Sequence, residues 1–168
     1  MTQIISIVGR SESGKTTLIE KLIPEIKKRG YRVGTIKHAH HGFDIDKEGK
    51  DSWRHKAAGA EMVLVSSPGK IAILKDEKNN TLEDLKRYFD DMDIVITEGY
   101  KRENTPKIEV FRMSRHNGPV CLNDDNLIAL VTDSDMATNV PKFALDEIEK
   151  LVDFIENRIL AKSGLKTS

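Results

Sequence analysis

Apolar positions along this chain follow two rhythms, short β-branched runs and helical stripes, and their order predicts an α/β fold. Gln3-Ile4-Ile5-Ser6-Ile7-Val8 is a compact β-rich run and predicts a buried strand. Residues 16–29 then place Leu18, Leu22 and Ile26 at i, i+4 and i+8, with Ile19 and Ile23 beside them, as on one apolar helix face. Pro24 falls inside that stripe and predicts a kink or a break, and Gly30 follows Lys27-Lys28-Arg29 as a helix end. Residues 31–37 predict a second strand, which a crossover of this length would pair in parallel with the first. Residues 61–66 and 70–75 flank Ser67-Pro68-Gly69 and predict an antiparallel hairpin, which would make the sheet mixed. Thr81 caps a helix whose core face is Leu82, Leu85 and Phe89. Strands follow at 93–98, at 107–112 (alternating, so with one polar face) and at 126–132. A last helix carries Leu145, Ile148, Leu151, Val152 and Ile155 on one side, with Asp146-Glu147 in its first turn.

The elements assemble as a P-loop NTPase-type three-layer α/β/α fold, with a mostly parallel sheet plus an antiparallel hairpin. A single nucleotide-binding domain is expected over 1–162, followed by a frayed tail at 163–168. Lys+Arg and Asp+Glu both number 27, so a net charge of zero gives no reason to expect nucleic acid or an anionic membrane as partner. The one cysteine, Cys121, excludes an intrachain disulfide and, between Val120 and Leu122, is expected as a small buried residue. No apolar run approaches a membrane span and no signal peptide is recognised, so a soluble cytoplasmic protein is expected.

The candidate chemistry begins between the first strand and the first helix. Gly9-Arg10-Ser11-Glu12-Ser13-Gly14-Lys15-Thr16 fits G-x-x-x-x-G-K-T in the strand–loop–helix context that a phosphate-binding loop requires. The glycines let the backbone approach a ligand, and loop N–H groups converge on phosphate at the positive helix end. Lys15 supplies a charge to the terminal phosphates, and Thr16 a hydroxyl for Mg²⁺. Glu98-Gly99 ends an apolar strand as a Walker-B acid would, placing Glu98 as a second Mg²⁺ ligand or as a group orienting water. Asp133 ends another strand and is either a guanine-reading acid or a plain turn residue.

The segment 37–56, KHAHHGFDIDKEGKDSWRHK, is the densest polar stretch. His38, His40 and His41 lack a second ligand pair at zinc spacing. A solvated loop, with Asp51 capping a short helix that ends near Gly59, competes with a functional reading. In the latter, Asp44, Asp46 or Asp51 reaches Mg²⁺ or water, and Arg54 meets a phosphate.

With these residues in place the chain resembles the MobB family of molybdopterin-guanine dinucleotide biosynthesis proteins over nearly its whole length. The resemblance rests on IVGRSESGKTTLIEKL, TIKHAHHGFDIDKEGKDSWRHKAAGA and DIVITEGYK. It implies a homodimeric GTP-binding adapter, with at most slow hydrolysis, that assists the guanylyltransferase attaching GMP to molybdopterin; molybdopterin itself is a further candidate partner. Carried over by position, Gly14, Lys15, Thr16 and Thr17 would hold phosphates and Mg²⁺. Asp46, Lys50, Asp51, Ser52 and Arg54 would form the family's characteristic loop, and Glu98-Gly99 its acidic strand end. The polar loop offers no water-orienting glutamine, and Arg54 is its only candidate arginine for the transition state, which agrees with a weak enzyme. The alternatives are a P-loop small-molecule kinase or ligase with His38, His40, Arg54 and Glu98 at an acceptor site, and a metal chaperone using the histidines.

Overall fold

The computed structural model describes residues 2–39, 42–77 and 81–161. The chain runs β1 (Gln3–Val8), α1 (Lys15–Lys28), β2 (Val33–Lys37), α2 (Asp51–Ala57), β3 (Met62–Ser67), β4 (Lys70–Lys75) and α3 (Leu82–Lys86). A 3-10 turn (Arg87–Phe89) leads to β5 (Ile94–Glu98), β6 (Lys107–Phe111), β7 (Leu127–Thr132), β8 (Lys142–Phe143), α4 (Ile148–Ile155) and a π-helical turn (Glu156–Leu160). His40, His41 and the tail expected to fray lie outside the described residues. Contacts divide the chain into two compact units, one up to His38 and from Lys86 onward, the other Ala39–Leu85.

In the first unit six strands form one sheet in the order β2-β5-β1-β6-β7-β8, and every neighbouring pair is parallel. The expected pairing of the first two strands is corrected: β2 pairs with β5, which separates it from β1. The reason lies in the side chains. Ile94-Val95-Ile96-Thr97 is buried on both faces and requires an interior place, whereas β2 contains Gly34, Thr35 and Lys37 and suits an edge. β8, only two residues long, extends the opposite edge and carries no pattern from which a strand could be read.

One face of the sheet is the apolar core. Ile5, Ile7, Ile94, Ile96, Ile108 and Val110 pack with Leu18, Leu22 and Ile26 of α1 and with Leu151, Val152 and Ile155 of α4. α1 is a single helix through Pro24, contrary to the expected break. Glu20 and Pro24 are both exposed, so the carbonyl deprived of its N–H partner by the proline faces water. At its end Gly30 takes φ 91° and donates its N–H to Lys27 O at 3.0 Å. Arg29 binds Glu25, Asp153 and Glu156, and Tyr31 donates its hydroxyl to Glu156 at 2.7 Å, tying α1 to α4.

The other face combines buried polar groups with a small apolar cluster of Val8, Cys121 and Leu127. Lys107 and Glu109 are each 1 % exposed, so the expected polar face of this strand does not meet solvent. Instead it anchors two loops. Lys107 Nζ donates to Glu103 O at 2.6 Å and pairs with Asp124 at 2.9 Å. The Glu109 carboxylate accepts the Val120 and Cys121 N–H groups at 2.6 and 2.9 Å. Thr97 donates to Ser6 Oγ at 2.9 Å, which bonds in turn with Thr105 at 2.7 Å. Burying these groups is tolerable because they are paired. Cys121 is buried as expected, and burial pushes its thiol up to about 11.

The second unit contains α2 and the β3–β4 hairpin, a two-stranded antiparallel sheet of its own. The six-stranded sheet is therefore wholly parallel rather than mixed. Ser67 pairs with Lys70 across Pro68-Gly69, where Gly69 takes φ 76°. Lys50 caps α2, with Asp51 as the first helical residue instead of the cap. Lys56 joins the Ala60 carbonyl to the Asp76 carboxylate.

The Lys107–Asp124 pair sets a pH dependence. The Lys107 hydrogen bond, followed by the Asn126 N–H, holds the Asp124 carboxyl below its ordinary 3.8. A carboxyl depressed on folding stabilises the fold above its unfolded value, and that contribution is lost as pH falls through the folded value. Asp124→Asn is expected to cost about 1–2 kcal/mol at pH 7 and progressively less below pH ~4 in denaturant titrations.

Candidate functional site

The loop between β1 and α1 is built from backbone conformations that its glycines permit. Gly9 takes φ 141° and Gly14 φ 98°. A Cβ on Gly9 would lie 2.4 Å from Val110 O and 2.8 Å from Ser13 Oγ, so no larger residue fits there. Glu12 also sits at positive φ, 59°, which a non-glycine residue adopts at a cost. The result is a start to α1 with Gly14 as N-cap, no side-chain cap and no acid in the first turn. The leading N–H groups of such a helix have no intrahelical partner.

Side chains complete the arrangement. Lys15 reaches back over the loop and donates to Arg10 O at 2.7 Å. Burial lowers its pKa, Glu98 opposes that effect, and the Lys101 and Lys37 charges add to it. Thr16 Oγ1 bonds both Glu98 oxygens, at 3.1 and 3.0 Å. β1 and β5 are neighbours, so the motif threonine and the strand-end acid meet although 82 positions separate them. Glu98 O also accepts the His38 N–H, and the Gly99 N–H donates to Ile7 O, both at 3.1 Å. Gly99 takes φ 102°, and a Cβ there would lie 3.3 Å from His38 Cβ.

A cavity of about 550 Å³ opens above this group, lined by Ser11, Glu12, Gly14, Lys15, Thr16, Thr17, Glu98, Arg112 and Arg115. Its polar groups suit a phosphorylated ligand with a hard cation. Uncapped N–H groups and Lys15 would take phosphate oxygens, and Thr16 with Glu98 would hold Mg²⁺ alongside phosphate and water. Among the described residues the buried Ser13 Oγ of the loop has no hydrogen-bond partner.

The structure brings the loop residues Ser11, Glu12, Gly14 and Lys15 together with Thr16, Thr17 and Glu98 around one cavity, and it adds Arg112 and Arg115, which sequence reasoning did not single out. Arg112 closes an alternating strand and Arg115 stands in a polar loop, and neither position carries a motif. A smaller basic cleft also uses Arg115, with Arg10, His116 and Asn117. Asp133 accepts the Met113 N–H at 2.9 Å and does not line the cavity. His38 stacks on Tyr100 with ring centroids 4.6 Å apart.

The remaining candidates belong to the second unit, where their contacts are local. Asp46 accepts from the Lys47 N–H at 2.9 Å and from the Ser52 hydroxyl at 3.1 Å. Arg54 is exposed and lies 3.8 Å from Asp51, and Lys50 caps α2. Among the described residues no cluster of three or more His, Cys, Asp or Glu could hold a metal ion. No described helix is long and apolar enough to cross a membrane.

A parallel sheet with a glycine-bounded loop, an uncapped helix start and a Lys-Thr pair facing a strand-end acid defines a P-loop protein. The chain belongs to the MobB family: residues 4–133 match Molybdopterin guanine dinucleotide synthesis protein B. It is 40 % identical over 157 residues to the molybdopterin-guanine dinucleotide biosynthesis adapter protein of Haemophilus influenzae, covering 92 % of this chain and 88 % of that one. With the Escherichia coli adapter it shares 34 % identity over 170 residues, covering 98 % and 97 %. Among solved structures it is similar to a molybdopterin-guanine biosynthesis protein B at TM-score 0.74 and 32 % identity, covering 92 % of this chain and 97 % of that one. Bacillus subtilis MobB matches at TM-score 0.75 and 26 % identity, covering 94 % and 98 %.

Proposed function

We propose that this chain holds Mg-GTP on its P-loop and presents it to a partner guanylyltransferase. Its family fixes the process, since the chain is an adapter protein of molybdopterin guanine dinucleotide biosynthesis in the molybdenum cofactor pathway. The observation that carries the nucleotide reading is one cavity with an uncapped helix start, Lys15 and the Thr16–Glu98 pair around it. When bound, the nucleotide supplies the phosphates and the guanylyl group. The chain's own part is to bind and orient: loop N–H groups and Lys15 hold phosphate, and Thr16 with Glu98 fixes the cation. Catalytic parts are sparse, with no water-orienting glutamine lining the cavity, which favours a long-lived complex over rapid turnover. The guanine preference comes from the family's process, and Asp133 remains the candidate acid for it.

Calorimetric titration of Mg-GTP and Mg-ATP into the wild type and Lys15→Ala tests this reading. GTP is expected to bind well ahead of ATP, and the variant is expected to lose at least about 10-fold in affinity. Equal or preferred ATP would instead favour the small-molecule kinase.

A homodimer is the second part of the proposal, and the hairpin supports it. Met62 and Leu64 of β3 share one face with Ile71 and Ile73 of β4, and all four are exposed, Leu64 by 51 % and Ile71 by 64 %. A contiguous apolar face of this kind marks an association surface. Leu64→Lys with Ile71→Glu is expected to convert a dimer to monomer in sedimentation velocity; unchanged mass would place the interface elsewhere.

A further inference from the structure

We propose that Arg112 is a phosphate-binding residue of the P-loop cavity, gripping the nucleoside polyphosphate from the side opposite Glu98. The inference rests on the phosphate-binding reading above and extends it to a residue outside the loop motif.

Three observations carry it. The first is position. β6 lies beside β1 on the flank away from β5, and Arg112 follows its last residue, so its guanidinium reaches the loop across from the Thr16–Glu98 pair. Its Nη2, Nε and Cζ lie 3.3, 3.5 and 3.7 Å from the point where a Cβ on Gly14 would stand. The guanidinium is therefore laid against the residue that caps α1, where loop N–H groups gather.

The second is an unmet need. Among the described residues the buried Arg112 Nε has no hydrogen-bond partner. Arginine stays charged, so a buried Nε–H without an acceptor is costly, and the half-buried fork can offer its donors to an anion in the cavity. The neighbouring Arg115 differs, because Glu12 lies 3.5 Å from its Nη1.

The third is rigidity. Arg112 O accepts the N–H groups of both Arg115 and His116, each at 3.1 Å. Asp133 holds the adjacent Met113 N–H at 2.9 Å, and buried Glu109 fixes the far end of the same loop at Val120 and Cys121. A planar fork carried on a pinned backbone beside a phosphate cradle can take two phosphate oxygens at once. A contact to the cradle acts in the ground state, so diphosphate and triphosphate should feel it alike.

The test compares wild type, Arg112→Met and Arg112→Lys by titration with Mg-GTP, Mg-GDP and inorganic pyrophosphate, and by melting without ligand. Arg112→Met is expected to lose about 10- to 100-fold in affinity for all three ligands. Its ligand-free melting temperature should hold or rise, because the uncompensated charge is gone. Arg112→Lys should recover only part of the affinity, since a point charge lacks the fork. Wild-type affinity in Arg112→Met would overturn the inference and leave the Mg-GTP reading intact. A lower melting temperature in both variants, with affinity lost in parallel, would also overturn it by showing a structural role. Arg112-dependent pyrophosphate binding without preference for GTP would support it while removing the guanine reading.

Discussion

The start of α1 is the constraint on which the rest depends. Gly14 leaves the helix without a side-chain cap, and its leading N–H groups converge with the Lys15 ammonium in a partly enclosed cavity. Like charges and unsatisfied donors gathered at one point favour an anion, and the helix dipole adds to the pull. Holding that loop open requires a rigid support. The support is a fully parallel sheet whose central strand leads directly into the loop, with α1 and α4 packed on its apolar face.

The second face of the sheet explains how the cavity acquires its walls. A hydrophobic face would have been covered by another helix packed without directional bonds. Here Ser6, Thr97, Lys107 and Glu109 are buried and paired: Thr97 bonds Ser6 across the sheet, and Ser6, Lys107 and Glu109 each fix a loop at a stated atom. The loop after β6 is thereby pinned at both ends and delivers Arg112 and Arg115 to the cavity. Sheet polarity and site geometry are thus one design: buried hydrogen bonds specify where the loops lie, and the loops bring charge to the phosphate cradle.

Much of this was legible in the chain because local patterns with physical meaning carried it. The P-loop reads as a motif since its glycines, lysine and threonine are contiguous, and Glu98 reads as a strand-end acid after Ile94-Val95-Ile96-Thr97. Strand order did not read, because which strand takes the edge depends on burial of whole faces; β5 displaced β2 from β1 on that ground. Alternation along β6 revealed two unlike faces without revealing that Lys107 and Glu109 were buried among loop backbone groups. Arg112 and Arg115 carry no spacing signal, and only their place in the wall of the loop's cavity distinguishes them from other surface cations. The polar segment 37–56 read as one site, yet Asp46 with Ser52 and Arg54 with Asp51 make their contacts in a separate unit, while His38 stacks on Tyr100 in the first.

The most direct test of the central claim is a crystal structure with Mg²⁺ and a non-hydrolysable GTP analogue. The account predicts phosphate oxygens on the loop N–H groups, Lys15 Nζ moved from Arg10 O to phosphate, and the metal held by Thr16 with Glu98 directly or through water. An analogue bound away from the loop, with Lys15 still on Arg10 O, would contradict it.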